Sequence, residues 1–407
     1  MRGHGLATQI RSRALRHSLV GIDQYMLECV TDLVLTGGDL ALPEGVVSGG
    51  WLTVADGLIS AVGTGTPPPG DRFDLAGALV VPGFIDTHCH GGGGASFSST
   101  DAKEILRAIA AHRRHGTTTM LASLVSEPIP ALADQEAALK ELVEDGELAG
   151  IHLEGPFIAA ARCGAHDPAV LREPDAVSVD ALLRAGCGAI RMVTLAPELA
   201  GGVRAVRQLV DAGVIAAIGH TDGTEELIRP AIDAGATVAT HLFNGMRPLH
   251  HREPGPIGVL LDDERVTVEL ICDLVHVHPT VLRLAARHAG RRRTVLVTDA
   301  MSATDAADGR YRLGTLQVDV HDGVATLADT GSLAGSTLTM DVAFRNLVRA
   351  VGMSVPDAVR ATSGRPAELL GIAGRTGSLR PGLAADLVVL DGDLRVDRVL
   401  RGGEWIV

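Results

Sequence analysis

His88 and His90 flank a single cysteine in PGFIDTHCHG. On an extended strand, residues two apart project to the same face, so the two imidazoles form a chelating pair with Cys89 turned away. Further along, Glu154 closes GIHLE, His220 closes VIAAIGH, His241 lies in TVATH and Asp299 in TVLVTD, each at the end of a short apolar run. Neutral imidazoles and carboxylates suit a borderline divalent ion such as zinc, and a set with open coordination positions is catalytic rather than structural. An HxH pair alone says little, because histidine pairs also lie on surfaces or satisfy core hydrogen bonds. The joint placement of five ligand candidates and an aspartate at strand ends carries the metal-site reading.

Other residues in these segments have plainer readings. His152 precedes Glu154 by two on the same strand, has no other support and reads as a core histidine with satisfied hydrogen bonds. Asp86 reads either as a turn residue or as a partner for a ligand histidine. The glycine run at 91–94 lacks the GKS or GKT ending of a phosphate-binding loop, so it reads as a loop that lets the backbone pass close to the site. Cys163, in ARCGAH, has nothing nearby to lower its pKa and reads as a loop residue near the cavity.

Those chemistry-bearing residues need a scaffold that gathers strand ends. From Val81 onward, apolar runs rich in Val, Ile and Thr alternate with segments of helical period, and eight such units can be counted. The expected fold is α/β, a TIM-like (β/α)8 barrel over 81–365, whose catalytic groups gather at the C-terminal strand ends. Ile105, Leu106, Ile109, Leu132, Leu139 and Leu142 fall at helical spacing and should cover its outside. Residues 28–80 and 366–407 read as short strands punctuated by GG, DG and PPPG turns. Neither end has enough strands to bury an apolar face alone, so the two are expected to pair into one small β-sandwich domain. A β-hairpin insertion is expected at 309–330, turning at HDG (321–323), and residues 1–27 read as a disordered extension.

Composition removes several function classes. The 407 residues are 46% hydrophobic with a net charge of −13, so there is no general basic footprint for nucleic acid or an anionic membrane. Five widely spaced cysteines without a CxxC pair argue against a disulfide framework or zinc ribbon and for a reducing, cytoplasmic setting. No run approaches the roughly 20 apolar residues that span a bilayer.

The ordered motifs PGFIDTHCHG, HLEGPF, GAH (164–166), GHT, THLFNGM, DLVH (273–276), VTDAM and LAGS, with ADLVVLD near the C-terminus, resemble those of the N-acetylglucosamine-6-phosphate deacetylases of the amidohydrolase superfamily, from about residue 30 to the end. The resemblance implies that Glu154, His220 and His241 hold the main divalent metal. It implies that His88 and His90 hold a second where both are histidine, giving one or two ions per chain. Asp299 would be the general base and acid, and His276 would lie beside the acetyl carbonyl. Asn244, Gly245 and Arg252 would hold the sugar phosphate, with Ala165 and His166 near the substrate. Arg252 would reach in from a second copy, implying a homodimer. Two departures stand out: Gly245 where alanine is common, and DLVH in place of DGxH. Only two lysines occur, Lys103 and Lys140, both in expected outer helices, so a carboxylated lysine cannot bridge metals here. The alternatives are an amidohydrolase for another N-acylated sugar or amino acid, and a non-catalytic scaffold, against which the complete ligand set argues.

Overall fold

The computed structural model describes residues 33–407; the expected extension over 1–27 lies outside the described residues. The first strands are β1 (Leu33–Leu42), β2 (Gly45–Ala55), β3 (Leu58–Gly63), β4 (Asp71–Asp74) and β5 (Leu79–Pro82). Between β2 and β3, Asp56 and Gly57 both take positive φ (51° and 75°), the tight turn that a DG pair encodes. β1 bends near Gly37: Leu33–Thr36 pair with β4 and Asp39–Leu40 with β5, both parallel, while β2 lies antiparallel on the other side. The sheet therefore forks at β1.

The chain's other end supplies β19 (Leu387–Leu390), β20 (Val396–Arg401) and β21 (Glu404–Trp405). β19 pairs antiparallel with β5, with Val81 opposite Val388, so the two ends join in one hydrogen-bonded sheet as the shortage of strands in each requires. Leu35, Leu40, Leu52, Ile59, Val80, Leu387 and Leu400 form its buried core.

Between these ends lies the barrel. Its strands are β6 (Phe84–Asp86), then, after a two-residue hairpin of β7 (Gly91–Gly92) and β8 (Ala95–Ser96), β9 (Thr117–Leu124), β10 (Gly150–Glu154), β11 (Ile190–Leu195), β12 (Ile215–Ile218), β13 (Val238–Ala239), β14 (Thr267–Ile271) and β15 (Thr294–Val297). All eight run parallel in chain order from β6 to β15. The circle closes just past the last strand, where Cys89 and Ala300 form a parallel bridge and the His90 N–H donates to the Ala300 carbonyl at 2.7 Å.

Each barrel strand is followed by a helix: α1 (Ala102–Arg114), α2 (Ile129–Glu144), α3 (Ala176–Ala185), α4 (Gly202–Asp211), α5 (Glu225–Asp233), α6 (Gly255–Asp262), α7 (Pro279–Arg293) and α8 (Met340–Arg349). Ile105, Ile109, Leu132, Leu139 and Leu142 are buried as expected, but Leu106 is 40% exposed. One residue further round α1 than Ile105, it has rotated about 100° towards solvent.

Because strands covered by helices outside and filled inside are buried on both faces, they read as nearly continuous apolar runs. At the N-terminal end, Ile85, Leu121, Met192, Ala217 and Val238 pack with Ala367 and Leu370. The short helices α9 (Val355–Val359) and α10 (Arg365–Leu369) thus bring the chain under the barrel floor before it returns to the sheet. The insertion near the C-terminal mouth is the expected hairpin with one more strand: β16 (Gly309–Leu313), β17 (Leu316–His321) and β18 (Val324–Leu327). Its core of Leu313, Val318 and Val320 packs on Val125 and Met301, beside the strand ends.

Candidate metal centre

Two polar layers sit above the apolar floor. In the lower, the two ring nitrogens of His152 lie 2.9 Å from Ser123 Oγ and 2.8 Å from Thr194 Oγ1, and Thr194 continues to Thr240 at 2.8 Å. With both nitrogens engaged and burial holding its pKa well below the ordinary range, His152 is a neutral core histidine.

The upper layer gathers the predicted ligands. Glu154 Oε1 lies 3.1 Å from His220 Nε2 and 2.8 Å from His241 Nε2, and those two nitrogens are 3.2 Å apart. Glu154 Oε2 faces His90 Nε2 at 3.2 Å, while His88 Nε2 stands 3.1 Å from His90 Nε2. Asp299 Oδ1 is 3.5 Å from His88 Nε2 and 3.3 Å from His90 Nε2. Cys89 points the other way, its Sγ 3.2 Å from His112 Nε2 on the buried face of α1. Three of these groups sit two residues beyond their strands in left-handed backbone: His220 (φ 46°), His241 (φ 27°) and Asp299 (φ 51°). Such strain persists only where surrounding structure overrides it, and it clusters at functional sites.

The donors fit a cation. His220 Nδ1 bonds the Arg162 carbonyl at 2.8 Å and His90 Nδ1 the Ser123 carbonyl at 3.1 Å. A carbonyl only accepts, so each Nδ1 carries hydrogen, and in the neutral ring the Nε2 lone pair points inward. Lone pairs converging at about 3 Å repel unless a positive charge lies between them. Burial opposes ionisation of Glu154 and Asp299, yet positive charge among the rings, that of protonated His88 foremost, holds both carboxyls below the usual carboxylate range, and a bound cation would supply that charge to neutral rings instead.

His166 differs. The Ser126 N–H donates to its Nδ1 at 3.1 Å, so the proton sits on Nε2, 3.3 Å from Glu154 Oε2. Burial pushes its pKa down to about 4, leaving a neutral ring that steadies Glu154 as a donor. The Asp86 carboxylate accepts from the Thr298 hydroxyl at 2.5 Å and from the His88 and Thr298 N–H groups, so it ties the first strand end to the last and touches no ligand ring. The glycine loop cradles nothing, since the Gly93 and Gly94 N–H groups donate to the Thr304 and Ser302 carbonyls.

A cavity of about 150 Å³ opens onto these ligands, lined also by Ala165, His166, Asn244, Gly245, His276 and Leu313. His276 Nδ1 is held by Asp273 Oδ2 at 2.6 Å; burial lowers its pKa, but Asp273 outweighs that and the net shift is upward. Gly245 has φ 59°, and a Cβ there would lie 2.7 Å from His220 Nδ1. Leu274 holds φ 69°, a left-handed position where glycine is the easy residue. Arg252 does not reach the cavity: it is exposed, with Nη1 2.9 Å from His251 Nε2 on its own loop. Lys103 and Lys140 lie on α1 and α2, away from the site. A larger cavity, about 370 Å³, lies among β1, α9 and α10 and contains none of the ligands.

Reading residues alone missed Asp273 and Glu269. Asp273 could have been found from its spacing to His276. Glu269 gives no such signal: it sits mid-strand, and only the fold brings it to Thr87 (2.9 Å) and His88 (3.6 Å).

A (β/α)8 barrel with four imidazoles and two carboxylates converging at its C-terminal mouth defines a metal-dependent hydrolase. The chain belongs to the amidohydrolase family, whose model matches residues 79–406. It is 38% identical over 379 residues to N-acetylgalactosamine-6-phosphate deacetylase of Escherichia coli O157:H7, covering 91% of this chain and 98% of that one. It is 37% identical over 368 residues to N-acetylglucosamine-6-phosphate deacetylase of Bacillus subtilis (strain 168), covering 86% and 91%. Among solved structures, a variant of the Mycobacterium smegmatis N-acetyl-D-glucosamine-6-phosphate deacetylase in complex with N-acetyl-D-glucosamine-6-phosphate matches with a TM-score of 0.90 and 48% identity, over 93% of this chain and all of that one.

Proposed function

We propose that this chain hydrolyses the acetamide of N-acetyl-D-glucosamine 6-phosphate, releasing acetate and D-glucosamine 6-phosphate. The observation that carries this reading is the convergence of Glu154, His220, His241, His90 and Asp299 on one small cavity, with buried His88 against His90, in a chain 48% identical to a deacetylase solved with that sugar phosphate. Glu154, His220 and His241 would hold the main divalent ion, and His88 and His90 a second. The nitrogen and carboxylate set favours zinc. When bound, the ion supplies Lewis acidity, acidifying water and polarising the acetyl carbonyl.

The chain's own groups do the rest. Asp299, kept ionised, takes a proton as the water oxygen attacks the carbonyl carbon, and returns it to the sugar nitrogen as the C–N bond breaks. His276, fixed by Asp273, donates towards the oxygen that gains negative charge, an interaction typically worth roughly 3 kcal/mol. Asn244, Gly245 and Arg252 take the phosphate, Arg252 from a second subunit of a homodimer, and Ala165 and His166 border the sugar. The four described cysteines are free, in keeping with a cytoplasmic location.

The Escherichia coli relative favours a second reading, the galactosamine epimer as substrate. Acetate release measured on both N-acetylhexosamine 6-phosphates separates the two. A faster kcat/KM on the glucosamine compound supports the first reading, a faster one on its epimer supports the second, and inertness towards both overturns the deacetylase assignment.

A further inference from the structure

The outer nitrogens of the ligand histidines are not treated alike. His220 and His90 each meet a backbone carbonyl, and His241 Nδ1 meets no partner among the described residues. His88 Nδ1 meets a carboxylate. Glu269, in the middle of β14 and fully buried, points Oε2 to within 3.6 Å of it. Oε1 of the same group accepts from the Thr87 hydroxyl at 2.9 Å, so one neighbour of His88 in sequence anchors the group that faces its ring. Among the described residues neither His88 Nδ1 nor Glu269 Oε2 has a partner within hydrogen-bond distance, and each is buried. A buried carboxylate oxygen and a buried ring nitrogen left unpaired this close would be a standing cost unless they serve each other.

We propose that Glu269, anchored by Thr87, is a positioning residue that keeps hydrogen on His88 Nδ1 and so aims the Nε2 lone pair at a cation, making the His88 and His90 pair a working second metal position. The inference rests on the reading that these two histidines hold an ion. Two features make Glu269 suited to the role. Its negative charge lies one ring beyond the ligand atom, where it raises imidazole basicity without occupying a coordination position. It also offsets part of the charge of a second divalent ion, which the Glu154 and Asp299 carboxylates must otherwise balance alone.

The test is a cobalt(II) titration of metal-stripped full-length protein against a chelating indicator, with bound cobalt counted by elemental analysis. Wild type should take two ions and His88→Asn one. Glu269→Gln, close to isosteric, should leave the tighter ion unchanged and weaken the second by roughly 10–100-fold. Thr87→Val, which keeps the carboxylate but frees its anchor, should weaken the second ion less. Nitrogen-15 spectra of labelled histidine should show His88 as the Nδ1–H form in wild type and a mixture of forms in Glu269→Gln, a change that a merely structural role would not produce. Unchanged affinity for the second ion in Glu269→Gln overturns the proposal while leaving the two-ion reading intact, and so does parallel weakening of both ions. A single ion in wild type, held equally by His88→Asn, removes the two-ion reading and this inference with it.

Discussion

Asp299 is held by its backbone: its N–H donates to the His88 carbonyl at 2.9 Å and its own carbonyl accepts from Ser336 N–H at 2.7 Å. Those bonds fix φ at 51° and put the carboxylate over the ligand nitrogens. Asp299→Asn keeps shape and size but cannot accept a proton, so kcat should fall by roughly 100-fold or more. Metal content should fall far less than in Glu154→Gln, because Glu154 alone touches both histidine pairs. Near-normal turnover at normal metal content in Asp299→Asn would exclude the proton-transfer role. Stripping the metal should abolish activity and re-addition of a divalent ion restore it; full turnover by verified metal-free protein would overturn the mechanism. At this scale the sequence was legible wherever a polar residue ended an apolar run, as with His88, Glu154, His220, His241 and Asp299. It was not legible for Glu269 or for the proton on His166, because each depends on a contact between segments far apart in the chain.

At the scale of elements, the barrel was readable because every strand needs burial on both faces and every covering helix on one. The forked sheet and the return of residues 365–370 under the barrel floor were not, since both depend on where separated apolar faces meet. One element contains an anomaly. On α2, Glu136 is fully buried and neither carboxylate oxygen has a hydrogen-bond partner among the described residues. Burial pushes its pKa up to about 8. A raised folded-state pKa means that the stability present below the unfolded value of about 4.3 is lost as pH rises through 8. Each tenfold change in an ionisation constant is worth about 1.4 kcal/mol, so wild type should lose on the order of 3–5 kcal/mol relative to Glu136→Met between pH 5 and pH 9. Denaturant unfolding at those two pH values measures the gap, and a gap that stays constant would show that Glu136 is ionised and paired in solution.

At the scale of the molecule, charge poses a question that one chain leaves open. The phosphate of the proposed substrate is an anion and the chain carries a net charge of −13, yet the residues lining the cavity include no arginine or lysine. Arg252 is exposed on a loop that also exposes Leu249, at 54%. If Arg252 of one subunit completes the site of another, Arg252→Ala should chiefly raise KM for the phosphorylated sugar and lower kcat/KM by roughly 10–100-fold, the value of a lost charge-assisted contact. The low activity on the unphosphorylated analogue should not change. The sharper measurement mixes defects. Arg252→Ala chains retain Asp299, and Asp299→Asn chains retain Arg252, so a dimer of one of each has one site with both residues and one with neither. Random pairing of equal amounts makes half the dimers mixed, so about one quarter of all sites should regain wild-type kcat/KM. Refolding the two variants together and assaying below KM reads this directly. Activity equal to the average of the separate variants would place Arg252 in its own chain's site or outside the site altogether, and the unphosphorylated analogue would then tell which.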